Sequence, residues 1–95
     1  MEKNKILLVD DEEDIRDILS IVLTDMGYQI LSAKDGEDAL QCCEREHPSI
    51  VLTDIKMPGM DGIDLLREIK RRAPDTEVIM ITGHGDMEVA VKSLK

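Results

Sequence analysis

The sequence is almost without aromatic residues. Among its 95 residues Tyr28 is the only aromatic side chain, and tryptophan and phenylalanine are absent. Proteins that bind single-stranded nucleic acids stack bases on aromatic side chains, so this composition argues against that class. A core must be built from Ile, Leu, Val, Met and Ala, and 42% apolar residues suffice for one core in a single domain.

Positive charge is also scarce. The chain has 12 Lys and Arg residues against 21 Asp and Glu residues, which gives a formal net charge of −9. Such an acidic surface repels the phosphate backbone of nucleic acids unless basic residues gather locally. The basic cluster of the sequence, residues 67–72, has the spacing of a solvated helix face. We therefore predict no direct nucleic-acid binding.

Cysteines and long apolar runs are few. Cys42 and Cys43 are adjacent, which makes an ordinary disulfide between them geometrically awkward, so we expect two reduced thiols in the core. No run is long enough to span a bilayer, and the sequence shows no signal peptide or lipidation motif. We expect no membrane contact and a cytoplasmic location.

Short, continuous apolar runs alternate with amphipathic segments along the chain. Continuous runs are typical of strands buried on both faces of a parallel sheet. They predict four strands, at Lys5–Asp10, Tyr28–Ser32, Ile50–Asp54 and Glu77–Thr82. The sequence places an unfinished fourth helix after Asp86.

Helical spacing marks three segments between the predicted strands. The first ends at Gly27, and these apolar residues should face the core: Ile15, Ile18, Leu19, Val22, Leu23 and Met26. The second should run from about Gly36 to Arg45, with Asp35 as its N-cap and Pro48 closing it. The third ends at Pro74 and is marked by Ile63, Leu66, Ile69 and Ala73.

The order βαβαβαβα predicts an α/β fold, a doubly wound parallel sheet with helices on both faces and right-handed crossovers. In the flavodoxin-like strand order 2-1-3-4, ligands bind beyond the carboxyl ends of strands one and three. Three predicted strands end there in polar residues, namely Asp10 and Asp11, Asp54, and Thr82.

Three carboxylates that converge on one crevice require either a bound proton or a cation. Acids at the start of the first helix favour the helix dipole by themselves, but Asp54 lies on another strand and begins no long helix. Carboxylates, a loop carbonyl and waters suit Mg²⁺. With a hydroxyl on Thr82 opposite, they supply what phosphoryl transfer to a carboxylate needs, so the residues point to an aspartyl phosphate on Asp54.

Three motifs, KILLVDDE, LTDIKMPGMDG and VIMITGHGD, resemble the receiver domain of two-component response regulators. The resemblance covers residues 1–95 as a single domain and implies a CheY-like sheet. It implies that Asp54 accepts a phosphoryl group from a sensor histidine kinase and that the domain controls an output domain or partner protein. The segment ITGHGDMEVAV is similar to receivers attached to enhancer-binding transcription regulators, which suggests a transcriptional output.

The same resemblance assigns the site residues. It implies Mg²⁺ bound by Asp10, Asp11, Asp54 and the backbone carbonyl of Lys56. Thr82 is the implied switch hydroxyl, and the small Gly83 follows it as the family prefers. In the loop after Asp54, Pro58, Gly59 and Gly62 are expected to serve tight backbone turns.

The sequence departs from this family at its end. Receivers normally continue with a fifth strand carrying an aromatic switch residue, then a Lys-Pro pair and a fifth helix, so we expect a C-terminally incomplete domain. Without that lysine the phosphoryl group lacks a positive partner, and we expect weak phosphorylation or a longer parent protein. The fourth strand becomes an apolar sheet edge, which we expect a homodimer, a swapped element or further sequence to cover.

Other classes fit part of the pattern. A Mg²⁺-dependent phosphatase also uses an aspartyl phosphate, but it usually carries a second acid where this chain has Lys56. A flavin-binding module needs glycines and hydroxyls after strand one, where this chain has four acids. A non-phosphorylated interaction domain is the third alternative. We expect a regulatory phosphoacceptor, with only self-catalysed phosphotransfer and slow autodephosphorylation as enzymatic activity.

Overall fold

Strands and helices alternate along residues 4–81, the part of the chain that the computed structural model describes. The strands are β1 (Lys5–Val9), β2 (Gln29–Ala33), β3 (Ile50–Asp54) and β4 (Glu77–Ile81). The helices are α1 (Glu13–Asp25), α2 (Gly36–Glu46) and α3 (Gly62–Arg72). All strand pairs are parallel, in the order β2-β1-β3-β4, which confirms the predicted fold class and strand order.

The predicted boundaries differ from the observed ones by about one residue. The second strand begins at Gln29 instead of Tyr28, and the second helix continues one residue beyond Arg45. The predicted fourth helix, after Asp86, lies outside the described residues, as does Thr82.

Local signals explain where the helices start and stop. Asp35 caps α2 as predicted, because its side chain accepts a hydrogen bond from the Asp38 N–H at 2.8 Å. Asp61 caps α3 in the same way. Gly27, just after α1, has a φ of 101°, a left-handed conformation that confirms its predicted role as a helix stop.

The main core lies between one face of the sheet and the pair α2 and α3. Alternate strand residues point to this face, and helix residues close over them: Leu7, Val9, Val51, Val78, Ala39, Cys42, Leu65 and Ile69. Cys42 is buried and Cys43 half-buried, and both are free thiols as expected. Burial raises the pKa of the Cys43 thiol to about 11, so it is protonated and weakly reactive at neutral pH.

The predicted inner face of α1 is wrong in part. Ile18, Val22 and Met26 are 58%, 52% and 65% exposed, whereas Ile15 and Leu19 are half-buried. The reason is that α1 packs on β1 and β2, and no second helix in residues 4–81 packs beside it. One side of its apolar stripe is therefore shielded and the other is not.

Among the described strands, β4 lies at the edge of the sheet opposite β2 and pairs with β3 alone. That a homodimer, a swapped element or further sequence covers the outer edge of β4 stays a prediction. None of the helices within residues 4–81 is both long enough and apolar enough to cross a membrane.

The two environments predict effects of different size for the same substitution, isoleucine to alanine. Ile69→Ala removes a side chain that is 1% exposed, and we expect the free energy of unfolding to fall by about 3 kcal/mol. Ile18→Ala, the matched control on α1, should change it by less than about 1 kcal/mol because Ile18 already contacts solvent. Urea unfolding measures both. Similar losses for the two variants would show that the face of α1 carrying Ile18 is covered in solution.

Candidate functional site

The candidate site forms where β1 and β3 end side by side. Val9 pairs with Thr53 in the parallel register, so Asp10, just beyond β1, and Asp54, the last residue of β3, lie side by side at the carboxyl ends of the strands. One carboxylate oxygen of each of Asp10, Asp11 and Asp54 lies within 4.8 Å of the others. The predicted convergence of these three carboxylates is therefore confirmed.

The arrangement of these carboxylates changes the pKa of Asp10. Burial raises the pKa of its carboxyl above the ordinary 3.8, and the negative charges of Asp54 and Asp11 add to the rise. A hydrogen bond opposes it, because the Glu12 N–H donates to Asp10 Oδ1 at 2.9 Å. The hydrogen bond from Glu12 therefore does not offset the burial and the repulsion that raise the pKa of Asp10.

The donor set fits a hard divalent cation. All three candidate ligands are carboxylate oxygens, which Mg²⁺ and Ca²⁺ prefer. Ligands on opposite sides of Mg²⁺ lie about 4.2 Å apart, twice the usual metal–oxygen distance. At most one pair of three ligands can lie on opposite sides, and the oxygens of neighbouring ligands lie about 3 Å apart. The three carboxylate oxygens, which lie within 4.8 Å of one another, would therefore have to close around the ion.

The loop between β3 and α3 carries the other predicted residues. Lys56 and Pro58 are exposed in this loop, and the metal-ligand role of the Lys56 carbonyl stays a prediction. Gly59 has a φ of 76°, a left-handed turn conformation that confirms the expectation for this residue.

Gly62 is required for a different reason from the one predicted. It does not have a left-handed φ; instead, the first turn of α3 lies directly against the backbone of the strand end. Its N–H donates to the Ile55 carbonyl at 2.7 Å. A Cβ atom here would lie 2.9 Å from the Ile55 Cα and collide with the Asp54 carbonyl oxygen. Only glycine permits this close approach.

The predicted switch residues, Thr82 and Gly83, lie outside the described residues, so their roles stay predictions. Ile81, the last described residue, pairs with Asp54 in the register of β3 and β4. The chain thus reaches the carboxylate edge of the sheet just before Thr82.

Sequence reasoning missed one residue at the site, Arg16. Its Nη1 donates to the backbone carbonyl of Asp10 at 2.6 Å, and its side chain lines a small cavity together with Asp10 and Asp54. The available signal was a lone basic residue among the acids at the start of α1.

Removing one carboxylate should stabilise the metal-free protein. We expect Asp10→Asn to raise the free energy of unfolding at pH 7 by up to about 1 kcal/mol, because it relieves repulsion and keeps an acceptor for Glu12. The folded protein binds a proton on Asp10 more readily than the unfolded chain does. The wild type therefore loses stability as the pH rises above about 4, and the gain from Asp10→Asn should fade at lower pH.

Urea unfolding in a metal chelator measures this gain, with the exposed Asp75→Asn as the control for net charge. Added Mg²⁺ should stabilise the wild type and not Asp10→Asn, because ligands that bind only the folded state raise its stability. A destabilised Asp10→Asn in chelator would contradict the repulsion between these carboxylates.

Gly62→Ala should displace the end of β3. We expect a loss of at least about 2 kcal/mol of stability and altered NMR amide shifts at Asp54 and Ile55, because the added Cβ meets backbone atoms that cannot move independently. Gly59→Ala is the control in the same loop. It should cost only about 1 kcal/mol of backbone strain, since a Cβ there meets no atom within 4 Å. Equal effects of the two variants would refute the close approach of α3.

Comparison with known proteins agrees with the fold and the site. A family model for the response regulator receiver domain matches residues 6–95. Among curated proteins, a probable transcriptional regulator, ycf27, of Porphyridium aerugineum is 41% identical over 95 residues, which cover 100% of this chain and 39% of the relative. The chain therefore spans about two fifths of that relative's length.

Solved structures show the same likeness. The response regulator TrrA of Thermotoga maritima, crystallised in complex with Mg²⁺-BeF, matches with a TM-score of 0.82 and 36% identity over 86% of this chain and 71% of its own. NtrX of Brucella abortus, crystallised with ADP, matches with a TM-score of 0.86 and 41% identity over 97% of this chain and 21% of its own. From its fold, its three converging aspartates and these matches, we conclude that the chain belongs to the response regulator receiver domain family.

Proposed function

We propose that the chain accepts a phosphoryl group on Asp54 from a sensor histidine kinase and so controls an output domain or partner protein. As a receiver domain, it is a regulatory component of two-component signalling and not a classical enzyme. The observation that carries the proposal is the position of Asp54, whose carboxylate lies at the end of β3 with Asp10 and Asp11 beside it. Asp54 is half-buried there, so part of its side chain remains in contact with solvent.

In the proposed site, Asp10, Asp11, Asp54 and the carbonyl of Lys56 hold Mg²⁺. Mg²⁺ would neutralise the excess charge of the carboxylates and of the incoming phosphoryl oxygens. Support comes from the all-oxygen donor set of this chain and from TrrA, which was crystallised in complex with Mg²⁺-BeF. The pKa of Asp10, raised first by burial and then by the charges of Asp54 and Asp11, is consistent with carboxylates that form no ion pair within residues 4–81.

Asp54 acts as the nucleophile in this proposal. A bond forms between its carboxylate oxygen and the phosphorus of a phosphohistidine, while the nitrogen–phosphorus bond breaks. The electron pair of the broken bond stays on the imidazole, which regains its neutral or protonated form from solvent. The Thr82 hydroxyl then donates to a phosphoryl oxygen, and the small Gly83 leaves space for that oxygen.

The proposed output is transcriptional. The ycf27 relative is described as a probable transcriptional regulator. Because the chain spans 39% of that protein, its regulatory activity need not lie in the portion that matches this chain. The net charge of −9 on this chain also disfavours direct contact with DNA. We therefore propose that the receiver acts on transcription through another domain or partner.

Phosphorylation of the purified protein tests this function. With Mg²⁺ and acetyl phosphate, the wild type should gain the mass of one phosphoryl group, and Asp54→Asn should gain none. The exposed Asp75→Asn is the matched control and should be phosphorylated like the wild type.

The other outcomes separate the alternatives. Equal uptake by Asp54→Asn would place the phosphoryl group elsewhere and refute the proposal. Rapid, repeated hydrolysis of phosphate esters would favour the phosphatase alternative. Uptake by neither protein, and none by a version extended through a fifth strand, would leave only an interaction domain.

A further inference from the structure

Arg16 ties the start of α1 back to the end of β1. It lies in the first turns of the helix and is half-buried. Its Nη1 donates to the Asp10 carbonyl at 2.6 Å, six residues back along the chain. The donor is a cation, and hydrogen bonds from charged groups are roughly twice as strong as neutral ones.

Three groups of Asp10 make hydrogen bonds in this arrangement. Its N–H donates to the Ala33 carbonyl at 3.2 Å, and its Oδ1 accepts from the Glu12 N–H at 2.9 Å. The Arg16 side chain holds the remaining group, the carbonyl oxygen. These bonds fix the turn that carries Asp10 and Asp11.

The N-cap side chain of α1 does not help to hold this turn. Glu12, the N-cap residue of α1, makes no capping hydrogen bond with its side chain, unlike Asp35 and Asp61 in α2 and α3. Among the described residues, Arg16 is thus the side chain of α1 that bonds across the turn. Without this bond, the hydrogen bond from the Glu12 N–H to Asp10 Oδ1 is the side-chain bond that remains between Asp10 and the start of α1.

Arg16 does not neutralise the carboxylates that it lies near. It shares a cavity with Asp10 and Asp54, yet within residues 4–81 the ion pairs are made by Lys5, Arg71 and Arg72. Its bond to a neutral carbonyl leaves the carboxylate oxygens available to a cation. This geometry favours positioning over competition with the metal.

We propose that Arg16 is a positioning residue for divalent-cation binding, which holds the turn bearing Asp10 and Asp11 in its binding geometry before the cation arrives. The inference rests on the proposed metal site. It adds to that site a residue that touches neither the cation nor the phosphoryl group.

The test compares Arg16→Met with Arg16→Lys in the complete chain. Methionine keeps helix propensity and bulk but has no donor, whereas lysine keeps the charge and one donor of similar reach. Isothermal titration with Mg²⁺ should give a Kd about tenfold weaker for Arg16→Met, as is usual when a residue behind a metal ligand is lost. Arg16→Lys should stay within about threefold of the wild type, because its donor can still reach the carbonyl.

A second measurement needs no metal. In the metal-free protein, the Glu12 amide should exchange with water several-fold faster in Arg16→Met than in the wild type or Arg16→Lys, because Asp10 Oδ1 no longer holds it steadily. NMR measures this rate. Arg67→Met is the control for charge, since Arg67 is exposed and makes no hydrogen bond or ion pair among the described residues. It should leave both readouts unchanged.

Several results would overturn the inference. Tighter Mg²⁺ binding by Arg16→Met than by the wild type would show that the guanidinium only repels the cation. Equal weakening by Arg16→Lys and Arg16→Met would show that the donor is not what matters. If the wild type itself bound no Mg²⁺, the proposed metal site would fail together with the inference. Binding by the wild type with unchanged variants would refute the inference alone.

Discussion

The parallel pairing of β1 with β3 is the constraint on which the site depends. Its register sets Asp10 beside Asp54 against their mutual repulsion. Burial of an aliphatic side chain contributes about 1.5–3 kcal/mol, and residues such as Leu7 and Val51 in these two strands are fully buried. Repulsion between partly solvated carboxylates is smaller, on the order of 1 kcal/mol. The gain from core burial therefore exceeds the repulsion, and burial together with this repulsion raises the pKa of Asp10.

The helices that cover the core also hold the loop after Asp54. Gly62, the first residue of α3, lies against the backbone of Asp54 and Ile55. On the other side, the space beside Gly36 at the start of α2 is filled by Met60, whose side-chain atoms come within 2.8–2.9 Å of where a Cβ would lie. The loop is thus fitted between two helix N-termini. Glycine is needed at residue 62, where the neighbouring atoms are backbone, whereas at Gly36 the Met60 side chain would have to shift to admit a Cβ. Core packing and site geometry are properties of the same contacts.

The two faces of the sheet contribute differently. The face under α2 and α3 forms the closed core, while α1 leaves Ile18, Val22 and Met26 more than half exposed. Even so, α1 supplies Arg16 to the carboxylate edge, and α3 supplies the glycine that abuts Asp54. Residues from both layers therefore support one edge of the sheet, as expected where parallel strands and the following helices meet.

The sequence by itself determined what depends on local pattern. Continuous apolar runs identified the strands, the cap at Asp35 and the stop at Gly27 followed from backbone preferences, and strand-end acids marked Asp10, Asp11 and Asp54. These signals act within a few residues of chain, so a linear pattern is enough to find them.

Only the tertiary structure decided which side chains are buried and which residues from different elements come into contact. Helical spacing could not tell that Ile18 is exposed while Ile69 is buried, because that depends on which elements flank each helix. The need for glycine at residue 62 comes from a backbone that is distant from α3 until the chain folds. The bond from Arg16 to the Asp10 carbonyl likewise exists only once α1 has packed beside β1, since burial and close approach are set by neighbours in space and not by neighbours in sequence.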